Sequence, residues 1–229
     1  MIPLRDVIPT RTFPVVTIAL IALNTAVFVL QQSLAAEDSM AVARRYGVIP
    51  ASFEWWTAVT ASFVHPGWVG FATNMLMLWL FGGTLEDRTG RGRYLAFYLT
   101  CAAVATAAQA WSQPATARPT LGASGALAGI LGAYFLMYPR SRVLALVPVP
   151  VVWPMIELPA VALLGFWLFV QLVSGMPRMP AAEAATVDSF SFAACSAAFL
   201  GGALLIPLFR RAERVRVEWW HDRPRDVGH

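Results

Sequence analysis

Charge is scarce in this chain. Only 13% of its 229 residues are charged, against 58% hydrophobic, where a soluble domain carries about 25% charged and 45–50% apolar residues. Too little polar surface exists to wet a fold of this size, so the composition points to a bilayer as solvent. Lysine is missing altogether: all 17 basic residues are Arg, and the formal net charge is +4. In a soluble protein that balance would raise nucleic acid as a partner. Here the arginines cluster at the ends of apolar runs, the pattern of membrane topology, and no nucleic-acid partner is expected. Cysteine is almost absent too. Cys101 and Cys195 both lie inside apolar runs and form neither a disulfide framework nor a metal-ligand spacing, so no metal or cofactor is expected. The polar opening MIPLRDVIPTRTFP leads into an apolar run without an A-x-A cleavage site, which reads as a retained span rather than a signal peptide.

What is present is six apolar runs, at roughly 14–31, 68–83, 94–111, 123–138, 155–174 and 189–208. They are continuous rather than alternating and too long for barrel strands, so the expected fold is an all-α membrane protein, a bundle of six transmembrane helices. Residues 1–13 form an N-terminal segment, 14–209 the membrane domain and 210–229 a basic tail. The second and fourth runs are short, at about 16 residues, which is tolerated where a span ends inside the protein. The longest connection, 32–67, holds Arg44, Arg45, Trp55 and Trp56, and Trp68 comes directly after it; Trp favours the membrane–water interface. With the N-terminus inside, Arg5, Arg11, Arg88, Arg91, Arg93, Arg140, Arg142 and the arginines after residue 209 fall on the inner side, and only Arg44, Arg45, Arg118 and Arg178 on the outer. The positive-inside rule then puts both termini in the cytoplasm of a multi-pass protein, with a bacterial inner membrane as the expected setting. The tail, with Trp219 and Trp220, reads as an anchor on the anionic inner leaflet.

No Asp, Glu, Arg or His falls well inside these runs, which argues against a pump, a proton-coupled carrier or a channel. The polar groups left at depth are Ser, Asn, Gln and Cys. In LGASGALAGILGAYFLMY the glycines at 122, 125, 129 and 132 largely share one face, a seam for close helix packing, and Ser124 opens the helix. Cys195, Ala198 and Gly202 form a second small-residue face, suited to pack on the first and to bring Cys195 to Ser124. Asn74 is one amide in an apolar helix, either an interhelical hydrogen bond or a donor to an oxyanion. His65 precedes that helix and is expected near the outer interface.

Together these pieces resemble the rhomboid family of intramembrane serine proteases. The resemblance runs along MIPLRD…PT…FP…IALN, FVHPGW with Asn74-Met75-Leu76 after it, FGGTLEDRTGRGRYLAFYL, GASGALAGILGAY and the closing AFLGG. It implies a six-helix bundle with a water-accessible site below the outer surface. The Ser of G-x-S-G, here Ser124, would be the nucleophile. A His on the sixth span would be the base, and a His-x-x-x-Asn pattern on the second span would supply oxyanion donors. Two of those places differ. Cys195 occupies the position of the base, and Gly70 stands where the helper His would precede Asn74. His221 and His229 lie in the tail, on the wrong side.

A serine hydroxyl needs a neighbouring base to become nucleophilic. A thiol in apolar surroundings is a poor acceptor. Loss of the His in a soluble serine protease costs on the order of 10⁶ in kcat, and loss of an oxyanion donor about 10²–10³. The sequence therefore favours a rhomboid pseudoprotease, partnered by the bilayer and by transmembrane segments of client proteins. An active intramembrane serine endopeptidase, using a base not evident in the sequence, is the alternative.

Overall fold

The computed structural model describes residues 2–6, 8, 10–146, 155–174 and 188–211. Its elements in chain order are β1 (Ile2–Asp6), α1 (Val15–Ser33), α2 (Ala36–Tyr46), a 3₁₀ turn (Pro50–Ser52), α3 (Thr57–Thr60), α4 (Trp68–Met77), a π turn (Leu78–Gly82), α5 (Gly83–Thr89), α6 (Arg91–Ser112), β2 (Thr120–Leu121), α7 (Ser124–Met137), β3 (Arg142–Leu146), β4 (Met155–Pro159), α8 (Ala160–Ser174), β5 (Asp188–Ser189) and α9 (Phe192–Phe209). Four described helices are long and apolar enough to cross a membrane: Val15–Ser33, Trp68–Thr89, Arg91–Ser112 and Phe192–Phe209. Two shorter apolar helices, Ser124–Met137 and Ala160–Phe169, bring the set to the six expected runs. Large apolar side chains such as Val29, Trp79, Phe166 and Leu204 point outward and exposed, as the outer faces of a bundle in lipid require.

The bundle is organised around α7. Every residue from Ser124 to Tyr134 is buried, and a helix apolar on all sides belongs in a core rather than at its edge. At 14 residues it is about 21 Å long, short of a ~30 Å hydrocarbon layer. Neighbouring helices, not lipid, surround it. α6 and α9 flank it so closely that only glycine fits at the crossings. A Cβ on Gly202 would strike the Gly129 backbone, one on Gly132 the Phe199 backbone, and one on Gly129 the Cys101 side chain. The two small-residue faces read from the sequence do pack together. Close approach lets the backbones make many weak contacts, the form of helix association that works in lipid.

The second run is longer than its sequence suggested. Through the π turn, α4 and α5 form one continuous span, Trp68–Thr89, which carries Glu86 and Asp87 past the expected end at residue 83. The Glu86 carboxylate is 2% exposed. It accepts hydrogen bonds from the amides of Val16 (2.9 Å) and Thr17 (2.8 Å) and from the Thr17 hydroxyl (2.9 Å). Asp87 takes the amides of Arg11 (3.2 Å) and Thr12 (2.9 Å) and the Thr12 hydroxyl (2.6 Å). Pro14, the residue before α1, offers no side-chain cap of its own. The open amides of the first turn of α1 are thus capped from across the bundle.

The fifth run begins differently from expectation. Residues 155–159 are strand rather than helix, and the helix starts after Pro159, a residue that cannot extend a ladder through its own nitrogen. β4 pairs antiparallel with β3, and β3 with β1, giving a three-stranded sheet of order β1-β3-β4. This sheet is an addition to the all-helical expectation and lies outside the six helices. The tail from residue 212 onward, with Trp219, Trp220, His221 and His229, lies outside the described residues, as does Arg178.

Candidate functional site

The start of α7 is fixed by its backbone. β2 pairs parallel with β5, matching Thr120 to Asp188 and Leu121 to Ser189. Val48 and Thr120 exchange amide–carbonyl hydrogen bonds at 3.0 and 2.8 Å, and the Gly122 amide donates to the Ala61 carbonyl at 2.9 Å. Gly122 then turns the chain into α7 with φ of 115°, a conformation an L side chain resists. The β2–β5 pairing gives α7 and α9 a common register at their starts: Ser124 comes three residues after Leu121 and Cys195 six after Ser189.

Gln109 of α6 holds both partners. Its side-chain oxygen accepts the Ser191 amide at 2.9 Å, and its nitrogen donates to the Thr120 hydroxyl at 3.3 Å and the Gln113 side chain at 3.0 Å. Ser191 in turn caps α9, its hydroxyl accepting the Ala194 amide at 3.2 Å. Sequence reasoning passed over Gln109. The available signal was a lone Gln in an otherwise small and apolar stretch of α6.

Ser124 and Cys195 meet, as the packing faces predicted. The Ser124 hydroxyl lies beside the Cys195 thiol, yet finds no partner of good hydrogen-bond geometry. The thiol is fully buried and directs its proton to the Phe190 carbonyl at 3.9 Å. A thiol is both a weak donor and a weak acceptor, and a much poorer proton acceptor than an imidazole.

Asn74 reaches the same place. A point one bond out from Gly122 lies 3.8 Å from Asn74 Nδ2, 3.9 Å from Ser124 Oγ and 4.0 Å from Ser124 N. A side-chain amide, a hydroxyl and a backbone amide at a helix N-terminus thus converge over Gly122. Donors of these types can stabilise negative charge on oxygen, the role the resemblance implies for the second span. Gly70 does not join them. It is exposed, and a Cβ there would meet nothing within 4 Å.

His65 departs from its expected place at the interface. It is fully buried. Its ring stands edge-on to Phe28 (6.3 Å) and Phe71 (5.4 Å), which stack on each other at 4.3 Å. Its backbone amide donates to the Gln31 side chain at 3.3 Å. Its Nε2 accepts the Ala123 amide at 3.5 Å, one residue before Ser124. Burial pushes the imidazole down to about 4, against a smaller opposing effect of the Phe63 backbone, so the ring is neutral near pH 7. The aromatic packing around His65 comes from Phe71, six residues on in α4, and from Phe28 of α1, and it is the second, 37 positions away, that local sequence does not reveal.

Residues 52–212 match the family model for the rhomboid domain. The chain is 35% identical over 98 residues to Rhomboid protein 1, mitochondrial, of Saccharomyces cerevisiae, a stretch of 40% of this chain and 28% of that protein. It is 32% identical over 133 residues to rhomboid protease GluP of Bacillus subtilis, 56% of this chain and 26% of the relative. Against the putative rhomboid protease YdcA of the same organism it is 32% identical over 130 residues, 56% of this chain and 64% of the relative. The matched stretches thus span about a quarter of the first two relatives' lengths. A multi-pass helical bundle, a serine at the start of a buried short helix and a domain match across most of the chain agree: this protein belongs to the rhomboid family.

Proposed function

We propose that this rhomboid family member binds transmembrane segments of client proteins within the bilayer without cutting them. The observation that carries the reading is the pairing of Ser124 with a thiol. Cys195 stands where the resemblance calls for an imidazole base, buried beside Ser124, and a thiol in apolar surroundings is a poor proton acceptor. Ser124 is then left as a neutral hydroxyl, a weak nucleophile. Asn74 and the Ser124 backbone amide stay close to the hydroxyl over Gly122. The seams that pack α6, α7 and α9 are filled by those three helices, so a client segment would meet the exposed apolar faces of the bundle, such as those of Trp79, Phe166 and Leu204. The arginine distribution supports cytoplasmic termini, and the all-Arg basic content and compact six-span form support a bacterial inner membrane as the setting.

The test is cleavage of a model single-span substrate in reconstituted vesicles, with wild type beside Ser124→Ala and Cys195→His. Silence of the wild type, undiminished client binding in Ser124→Ala and cleavage gained in Cys195→His support the reading. Cleavage by the wild type that Ser124→Ala abolishes overturns it.

One observation favours the second reading, an active serine endopeptidase. His65 is a neutral imidazole whose Nε2 faces the residue before Ser124. It is the one imidazole among the described residues. If it serves as base, wild-type cleavage occurs and His65→Gln removes it while client binding persists.

A further inference from the structure

We propose that the cleft between α2 and α3 is a lipid site. In it Arg44 and Arg45 hold the phosphate of a zwitterionic aminophospholipid, and Glu54 holds its ammonium group. The inference stands apart from whether Ser124 cuts.

The cleft measures about 160 Å³ and is lined by Arg44, Arg45, Ser52, Glu54 and Thr57. That is several times the ~30 Å³ share of one water. Two guanidinium groups end α2, and among the described residues neither meets a carboxylate at ion-pair distance. Arg45 is held instead over the Trp56 ring, 5.1 Å from its centroid. Stacking of this kind leaves the edge of a guanidinium open to accept an oxyanion. Thr57 spends its hydroxyl on the Glu54 carbonyl at 2.6 Å, which fixes the turn that carries the Glu54 carboxylate. A cleft with two cations and one carboxylate matches a ligand with one phosphate and one ammonium. An inorganic phosphate would leave Glu54 opposed to it.

Position selects lipid as the source of that chemistry. The cleft lies at the end of the bundle where α1 and α6 finish and α4, α7 and α9 begin. At that end Trp55 is 80% exposed, Trp68 64% and Trp111 87%. Phe53 and Tyr46, beside the cleft, are also exposed. Exposed indole and phenol rings at one level of a membrane bundle mark the headgroup layer. Phosphodiesters are concentrated there, and guanidinium groups bind them through paired N–H donors.

The experiment reconstitutes the full chain in nanodiscs of phosphatidylcholine with equal parts phosphatidylethanolamine and phosphatidylglycerol. Retained lipid is counted by native mass spectrometry. The wild type is expected to keep one phosphatidylethanolamine ahead of the other two. Arg44→Gln with Arg45→Gln should lose that lipid. Glu54→Gln should keep a phospholipid but shift its preference at least tenfold towards phosphatidylglycerol, because the ammonium partner is gone and the cleft is more positive. Lipid retention unchanged in the double Gln variant overturns the proposal, as does a wild-type preference for phosphatidylglycerol. Should the double variant misfold, Arg44→Lys with Arg45→Lys keeps the charge but not the paired donors, and weakened retention is then the expected result. An acidic peptide that binds the cleft while no lipid is retained would assign the site to a protein partner and refute a lipid site.

Discussion

Replacing Glu86 by Gln tests how far α1 depends on a cap supplied from another helix. The wild-type carboxylate receives three hydrogen bonds, from Val16 N, Thr17 N and Thr17 Oγ1, at 2.9, 2.8 and 2.9 Å. Gln is nearly isosteric, so the substitution opens no cavity. It keeps one acceptor oxygen and turns the other towards its partners as an N–H donor. If the oxygen stays with Val16, the two Thr17 donors lose their acceptor; if it flips, Val16 does. A hydrogen bond to a charged group contributes about 1.5–3 kcal/mol, and a buried donor left unpaired costs about 1–3 kcal/mol. With at least one amide orphaned, the expected loss is about 3 kcal/mol. For a chain of this size about 2–4 °C accompany each kcal/mol, so the melting temperature in detergent should fall by roughly 6–12 °C. Thr17→Val removes only the hydroxyl donor and should cost about 1 kcal/mol. In the double variant the two losses should be less than additive, since both act on one carboxylate. A Glu86→Gln protein that melts within 2 °C of wild type would refute the idea that this cap holds α1.

The glycine crossings, Gln109 and His65 each carry a further expected outcome. Gly132→Ala and Gly202→Val should each destabilise by well over the ~1–3 kcal/mol usual for overpacking, because the added carbon meets backbone; Gly70→Ala, into open space, should shift melting by less than about 0.5 kcal/mol, and thermal melts of the three compare them directly. Gln109→Leu should cost about 2–4 kcal/mol by leaving the Ser191 amide and the Thr120 hydroxyl unpaired, with earlier amide exchange at residues 188–195 as its signature. His65 makes stability depend on pH: its folded value of about 4 lies below its ordinary 6.5, so the unfolded chain binds the proton first as pH falls. Stability is therefore complete above about 6.5 and declines towards pH 4, by about 3 kcal/mol in all; melting temperature against pH should flatten over that window in His65→Gln.

Much of the bundle was legible in the sequence because lipid imposes a length and a composition on each span. The Ser124–Cys195 meeting was legible for a different reason: Gly129 and Gly202 leave room for only one close arrangement of α7 and α9. Features that depend on distant partners were hidden. Glu86 looked like a residue beyond the end of a span, because the π turn that continues the helix has no period of its own to read. His65 looked interfacial because its polarity was visible locally, whereas Phe28, 37 positions earlier on α1, was not. Gln109 bonds to residues 11 and 82 positions away, and no periodicity reports that. The strand 155–159 was absorbed into an apolar run because a short apolar strand and the start of a helix share the same composition.

The sheet of order β1-β3-β4 has a mechanical consequence. β4 ends at Pro159 and α8 begins at Ala160 with no residue between them, while the Ala160 amide donates to the Ser141 carbonyl just before β3. β1 hangs from the far side of the same strand β3. The first residues of the chain are thus in series with α8, through one strand and two ladders. A pull, a bound partner or a truncation at residues 2–6 would be transmitted to the foot of a transmembrane helix more than 150 positions away. Whatever binds β1 acquires a lever on α8.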